Sequence, residues 1–147
     1  YLTLVLGPVN PERGEIITKI SRSNRDFRLK RSSAFSLDQS AKTAISYYKV
    51  LRNYNFMAYG LSLIAIRIIT GRTHQIRTQM KYQGWPIIGD QQYDTKISRK
   101  ISQELGLNRQ FLHAHKLEFY FDDKKMSFES ELPEELNKII KFLNSKS

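Results

Sequence analysis

Alternating apolar and polar residues mark the first half of the chain and predict β-structure there. The segments 1–7 and 14–20 alternate with a period of two. The turn between them holds two prolines and ends at Gly14, which predicts a β-hairpin. Two longer segments, 43–54 and 61–69, are rich in β-branched and aromatic residues, as strands are. The first half of the chain is therefore predicted to form a sheet.

The period changes after the last of these strands. Polar and apolar residues then predict a helix over 73–83, with the Thr73 hydroxyl as its N-cap and Gly84 as its left-handed end. Ile76 and Met80 are four residues apart, so both are expected to face the core. This helix follows directly on the apolar strand 61–69.

The rest of the chain predicts a loop, a short helix, a hairpin around Asp122-Asp123 and a final helix opened by Pro133. The segments are, in that order, 85–90, 95–107, 112–121 with 125–130, and 133–144. Strands come early and helices late, which predicts a single α+β domain. Its expected architecture is a mixed, mainly antiparallel sheet flanked by a few helices.

The net charge of the chain indicates what kind of partner it binds. The 147 residues carry 24 Lys and Arg against 14 Asp and Glu, a net charge of +10. Such an excess favours a polyanion, because each neutralised phosphate releases counterions. The arginine-rich segment 21–40 is predicted to be an exposed basic loop with a short strand near 28–35; it either binds phosphates or is simply a solvated loop.

Other composition features exclude whole classes of site. The chain has no cysteine, which excludes disulfides and thiolate zinc sites. No apolar run approaches the roughly 20 residues of a membrane-spanning helix. We therefore expect an intracellular, cytoplasmic protein without a membrane partner.

Two motifs stand in the polar stretch after the strand 61–69. GRTHQIR occupies 71–77, and GWPIIGDQQY follows at 84–93. Together they resemble the signature of the RluA-type RNA pseudouridine synthases, GRTHQ-I/L-R, about six residues, then GHPI-x-GD-x-x-Y. Weaker matches at 1–7, 42–48, 112–114 and 132–133 extend the resemblance over nearly the whole chain. The departures at Trp85, Thr78, Gln79 and Thr3 are expected to be peripheral.

One part of the family pattern is missing from the chain. The catalytic aspartate of the family lies in an HRLD-type segment before the tyrosine strand, and no HRLD occurs in the 147 residues. The resemblance therefore implies the C-terminal half of a catalytic domain, without the upstream half. Such a chain is expected to be inactive and aggregation-prone by itself, with its polar cluster directed at a carboxylate that it does not contain.

The resemblance also implies roles for individual residues. Arg77 would pair with the catalytic aspartate, since a guanidinium holds a carboxylate ionised and oriented. Tyr1 would stack on the target uracil and act in proton transfer. Leu112 would form an apolar wall of the base pocket. Three further residues would bind substrate or anchor the nearby turn: Arg72, Thr73 and His74. The family uses no metal and no organic cofactor.

Three functions remain open on the residues. The first is an RNA pseudouridine synthase acting on rRNA or tRNA, monomeric when intact. The second is a basic RNA-binding module without catalysis. The third is a metal-dependent hydrolase built on His74, His113, His115 and Asp90. In the GD-x-x-Y context of the resemblance, however, Asp90 is expected to be structural.

Overall fold

The computed structural model describes residues 1–23, 26 and 28–146. Strands and helices follow one another along the chain in much the order that the sequence predicts. The strands are β1 (Leu2–Leu6), β2 (Arg13–Arg22), β3 (Lys30–Ser33), β4 (Lys42–Tyr54), β5 (Leu61–Ile68), β6 (Leu112–His113), β7 (Lys116–Phe121) and β8 (Lys124–Glu129). The helices are α1 (Gln75–Tyr82), α2 (Lys96–Glu104) and α3 (Glu134–Lys146). None of these helices is long and apolar enough to cross a membrane.

Six of the strands form one sheet in the order β3-β2-β4-β5-β1-β6. Each neighbouring pair in it is antiparallel. The α+β class with a mainly antiparallel sheet is therefore confirmed. The basic segment 21–40 contributes β3, while its residues 24, 25 and 27 lie outside the described residues.

The predicted hairpin between the first two strands is wrong. β1 pairs with β5 and β6, whereas β2 pairs with β3 and β4. Contacts in the turn explain the separation: Gly7 N–H donates to the Gly60 carbonyl, and Val9 N–H donates to the Ser62 hydroxyl. Because Val9 is also buried, the turn is held across the start of β5 and cannot fold β2 back onto β1.

Both faces of the sheet are covered, which is why the central strands read as apolar. α1 packs on one face, where its Ile76 and Met80 are buried as predicted. A core cluster on that face joins them to residues of the strands: Val5, Ile16, Tyr48, Ile64 and Ile66. Residues from α2, α3 and the Ile88 loop belong to a second cluster that includes Leu4 of β1 and Leu61 of β5. The face covered by α1 carries the candidate site.

The last two strands form a separate hairpin, as predicted. β7 and β8 pair around Asp122 and Asp123, which both have positive φ (50° and 57°), as a tight hairpin turn requires. The predicted strand 112–121 is not continuous, however. It splits into β6, which pairs with β1, and β7, which pairs only with β8. Two different partners are the reason for the break.

Candidate functional site

The start of α1 differs from the predicted Thr73 cap. His74 occupies the N-cap position in a left-handed conformation (φ 54°) and makes no capping side-chain bond. The side chain of Gln75 does the anchoring instead. Its Oε1 accepts from Arg72 N–H (3.0 Å) and the Thr70 hydroxyl (2.8 Å), and its Nε2 donates to the Ile45 carbonyl (3.0 Å). The GRTHQ segment is thus fastened to β4.

A second glutamine fixes the middle of α1. Gln79 is fully buried, accepts from the Ser46 hydroxyl (2.7 Å) and donates to the carbonyls of Ile16 and Ala44. It therefore ties the helix to β2 and β4. Although Gln79 departs from the family motif, it is part of the buried structure here, and the fold supplies the partners that a buried amide needs.

Arg77 forms a bidentate ion pair with Asp90. Arg77 Nε donates to Asp90 Oδ2 at 2.7 Å, and Nη2 donates to Oδ1 at 2.8 Å. The side chain of Asp90 is 0% exposed and that of Arg77 only 13%. Arg77 Nη2 also donates to Gln92 Oε1 at 2.8 Å, and the guanidinium lies 4.9 Å from the ring centre of Tyr93. This geometry makes a rigid, partly buried cationic site.

Asp90 stays ionised in this environment. Burial acts to raise its pKa, but hydrogen bonds from Arg77 and from the N–H groups of Gln92 and Tyr93 outweigh burial, and the pKa lies below the ordinary value. The same ion pair raises the pKa of Arg77. Asp90 therefore shapes its own loop while it holds Arg77, which fits the structural role expected from the motif.

The expectation that Arg77 has no carboxylate partner in this chain is wrong. The missed partner is Asp90, which follows Arg77 by thirteen residues in the sequence. The signal was present, since both residues belong to the two motifs. One part of the guanidinium remains open: Nη1 has no hydrogen-bond partner among the described residues. Two of the five Arg N–H donors are thus available to a further acceptor.

Tyr93 connects Arg77 to His74 and was not singled out from the sequence. Its hydroxyl accepts from Lys30 N–H (2.8 Å) and lies 2.9 Å from His74 Nδ1. Burial lowers the pKa of His74, and the charge of Arg77 adds to this effect. The His74 ring is therefore neutral at pH 7. Tyr93 is thus a common neighbour of His74 and Arg77.

Tyr1 directly precedes β1, and Leu112 lies on the adjoining edge strand β6. Alternation along β1 places Tyr1 on the same face as Val5, the face covered by α1. Tyr1 is 37% exposed, and its ammonium group donates to the Ile66 carbonyl (2.8 Å). Leu112 is half-buried against the α1-side cluster. No hydrogen bond or ring contact joins either residue to Arg77 within the described part of the chain.

Arg72 and Thr73 lie at a different place from Arg77. They line an open cavity of about 400 Å³ at the β3 side of α1, together with Arg22, Lys30 and Lys42. Arg72 Nε also donates to the Thr43 carbonyl at 3.2 Å. The residues assigned to substrate binding therefore lie in three places. His74 is near Arg77, Arg72 and Thr73 are at the cavity, and Leu112 is on β6.

The histidines proposed as metal ligands are engaged otherwise. A ring nitrogen of His113 lies 3.0 Å from the Ser130 carbonyl, and one of His115 lies 2.8 Å from the same oxygen. Within residues 1–23, 26 and 28–146, no three His, Asp or Glu side chains are grouped to hold a metal ion. The hydrolase hypothesis therefore lacks a ligand set in this part of the chain.

Comparison with known proteins supplies the family. The chain is 34% identical over 116 residues to ribosomal large subunit pseudouridine synthase D of Buchnera aphidicola (subsp. Schizaphis graminum), covering 72% of this chain and 36% of the relative. It is 34% identical over its full length to an uncharacterized RNA pseudouridine synthase of Aquifex aeolicus, and covers 46% of that protein. Over most of its length the chain is homologous to RNA pseudouridine synthases.

Solved structures agree on the fold. The human RNA pseudouridylate synthase domain containing 1 superposes with a TM-score of 0.75 at 21% identity, covering 98% of this chain and 64% of that one. The human RNA pseudouridylate synthase domain containing 4 superposes with a TM-score of 0.73 at 20% identity, covering 97% of this chain and 60% of that one. No family model matches the chain. The chain spans 36% to 46% of the length of the curated relatives from Buchnera and Aquifex.

Proposed function

We propose that this chain is the C-terminal half of the catalytic domain of an RNA pseudouridine synthase that isomerises uridines in rRNA or tRNA. The observation that carries the proposal is the joining of the two family motifs at one site. GRTHQIR supplies Arg77, and GD-x-x-Y supplies Asp90 and Tyr93. The Arg77 side chain contacts the Asp90 carboxylate and the Tyr93 ring, and Asp90 also accepts from Tyr93 N–H. Homology to RNA pseudouridine synthases supports the same assignment.

The reaction breaks the N-glycosidic bond of a uridine, turns the base and rejoins it to the sugar through carbon. An aspartate nucleophile is needed, and we place it in a segment upstream of Tyr1. The free Nη1 of Arg77 is the group that would receive this carboxylate. Because Asp90 already holds Nε and Nη2, the guanidinium is fixed before the second carboxylate arrives.

Tyr1 and Leu112 complete the proposed base pocket. Tyr1 directly precedes β1 on the α1 face, is partly exposed, and supplies the ring that would stack on an extruded uracil. Leu112 is on the adjoining strand β6 and offers an apolar wall. No cofactor or metal takes part in this proposal. The intact protein is proposed to be a cytoplasmic monomer.

The exposed apolar face of the β7–β8 hairpin supports the proposal of an upstream half. Its side chains alternate, so one face is apolar, and this face remains exposed: Leu117 59%, Phe119 41%, Phe121 70% and Phe128 53%. Phe119 and Phe128 stack on each other with centroids 6.0 Å apart. Soluble proteins rarely leave such a patch uncovered. We infer that the upstream half packs on it.

A second candidate is a basic RNA-binding module that has lost catalysis. The net charge of +10 favours it as much as it favours the enzyme. The buried Arg77–Asp90 pair favours the enzyme, because a pure binder needs no desolvated guanidinium with two donors left free.

The test is pseudouridine formation in rRNA and tRNA transcripts. We would compare the full-length gene product, its Arg77→Ala variant and the 1–147 chain alone, each without added metal. We expect activity in the first and none in the other two. Activity in the 1–147 chain, or full activity in Arg77→Ala, would contradict the proposal. RNA binding without pseudouridine in the full-length protein would favour the binding module.

A further inference from the structure

The basic cavity beside α1 is built by strand register. Arg22 of β2 lies directly opposite Lys30 of β3, and Ile20 of β2 lies directly opposite Lys42 of β4. Directly opposite residues of antiparallel strands share a face, and so do residues two apart on one strand. Ile20 is buried in the sheet, so the three cations surround it on the same side.

That side is the face covered by α1. Ser32 of β3 lies opposite Ile20, and its hydroxyl donates to the Thr78 hydroxyl of α1 at 2.9 Å. α1 begins at Gln75, and the turn before it brings Arg72 and Thr73 over the same cavity of about 400 Å³. Three strands and one turn therefore deliver four cations to one opening: Arg22, Lys30, Lys42 and Arg72.

Within the part of the chain that the structure describes, the four cations lack acidic partners. No ion pair among the described residues includes any of them. In contrast, Arg28 and Arg99 are paired with Asp26 and Asp94. Like charges directly opposite each other, as in Arg22 and Lys30, destabilise a strand pair. A bound anion would remove this repulsion.

We propose that the cavity lined by Arg22, Lys30, Lys42, Arg72 and Thr73 binds a phosphate of the RNA backbone, beside the site of Arg77. The two guanidinium groups and the Thr73 hydroxyl are donors that suit phosphate oxygens. Lys30 of the cavity donates its N–H to the Tyr93 hydroxyl, and the Tyr93 ring lies against the Arg77 guanidinium, so the two places adjoin. The choice of RNA rests on the proposed function.

The proposed phosphate site is tested by RNA binding of the full-length gene product. The probe is a fluorescent single-stranded RNA of mixed sequence, titrated at several KCl concentrations. Arg22→Gln/Lys42→Gln should weaken binding about tenfold and flatten the slope of log K against log[salt] by about 1.4, for two contacts. The control, Lys96→Gln/Lys100→Gln, removes the same charge from exposed positions of α2 and should leave the slope unchanged.

Three outcomes would overturn the site. The first is equal weakening in both double variants, which indicates general charge. The second is wild-type binding by the cavity variant. The third is that inorganic phosphate raises the Tm of the wild type but not of the cavity variant, while both bind RNA with the same affinity. That result would mean that the cavity binds free phosphate and not RNA. The swap Arg22→Lys/Lys42→Arg should retain binding, and circular dichroism should show each variant folded.

The same variants separate this site from the proposed activity. In an active enzyme, the cavity variant should raise KM for RNA and leave kcat near the wild-type value. If the wild-type protein forms no pseudouridine, the proposed function fails, while the binding titration still decides whether the cavity takes RNA phosphate.

Discussion

Arg77 and Asp90 lie edge to edge across the candidate site, joined by two hydrogen bonds of 2.7 and 2.8 Å. Each comes from a different motif, and each is largely removed from solvent. Breaking a buried pair leaves an uncompensated charge, which costs more than the pair itself contributes. This ion pair is therefore the most sensitive point of the site.

Asp90→Asn should lower the free energy of unfolding by about 3 kcal/mol, because Arg77 remains charged and loses its anion. Urea denaturation of the full-length protein measures the change. Asp94→Asn is the matched control, since Asp94 makes the same two-bond contact with the exposed Arg99 (2.7 and 3.0 Å). A surface pair contributes little, so the loss there should be several-fold smaller. Equal losses would contradict the prediction.

The Asp90 pair also predicts a pH dependence. The folded pKa of Asp90 lies below its ordinary value, so its contribution to stability is complete above the unfolded pKa, near 3.9. That contribution is lost as pH falls through the folded pKa. The unfolding free energies of wild type and Asp90→Asn should therefore converge below about pH 4. Urea titrations from pH 7 downwards measure both; a constant difference would show that ionisation of Asp90 is not the cause.

Arg77→Lys should fail to support catalysis. An ammonium cannot keep the two-bond contact with Asp90 and also offer the fixed Nη1 donors. We expect pseudouridine formation by the full-length protein to fall about 100-fold or more, as for other misplaced catalytic groups. Arg99→Lys serves as the control and should keep wild-type activity. Retained activity in Arg77→Lys would show that charge alone is sufficient.

Gly89 allows the left-handed backbone conformation that directly precedes Asp90. Its φ is +82°, and a Cβ there would lie 1.9 Å from the Arg109 carbonyl oxygen. Gly84 has nearly the same φ, +81°, but no neighbour within 4 Å. Gly84→Ala should therefore cost only the conformational term, about 1 kcal/mol, whereas Gly89→Ala should cost considerably more. Thermal unfolding of both variants gives the comparison, and similar Tm losses would argue against the close contact.

Gln79→Ala should destabilise the attachment of α1 to the sheet. The substitution leaves the Ser46 hydroxyl and two strand carbonyls without their buried partner, at a cost of about 1–3 kcal/mol. Gln83→Ala, at the C-cap of the same helix, is the control and should change stability much less. Denaturant titration decides between them. No difference between the two variants would mean that water satisfies these groups.

Local pattern was sufficient for most elements of the fold. The strands β4 and β5, the left-handed end of α1 at Gly84 and the β7–β8 turn all follow from residues close in sequence. The pairing of β1 was not predicted, because the partner of an antiparallel strand is chosen by long-range packing. Likewise, the Thr73 cap was wrong because α1 begins at Gln75, which puts His74 rather than Thr73 at the N-cap position.

The sequence by itself determined the α+β class and the two motifs that carry Arg77, Asp90 and Tyr93. These depend on periodicity and on residue type, which a chain carries without folding. Only the tertiary structure decided that Arg77 pairs with Asp90 and that four cations meet at one cavity. Those contacts join separate elements, and their distances depend on how the strands pair and how α1 packs on them. No local pattern encodes such a distance.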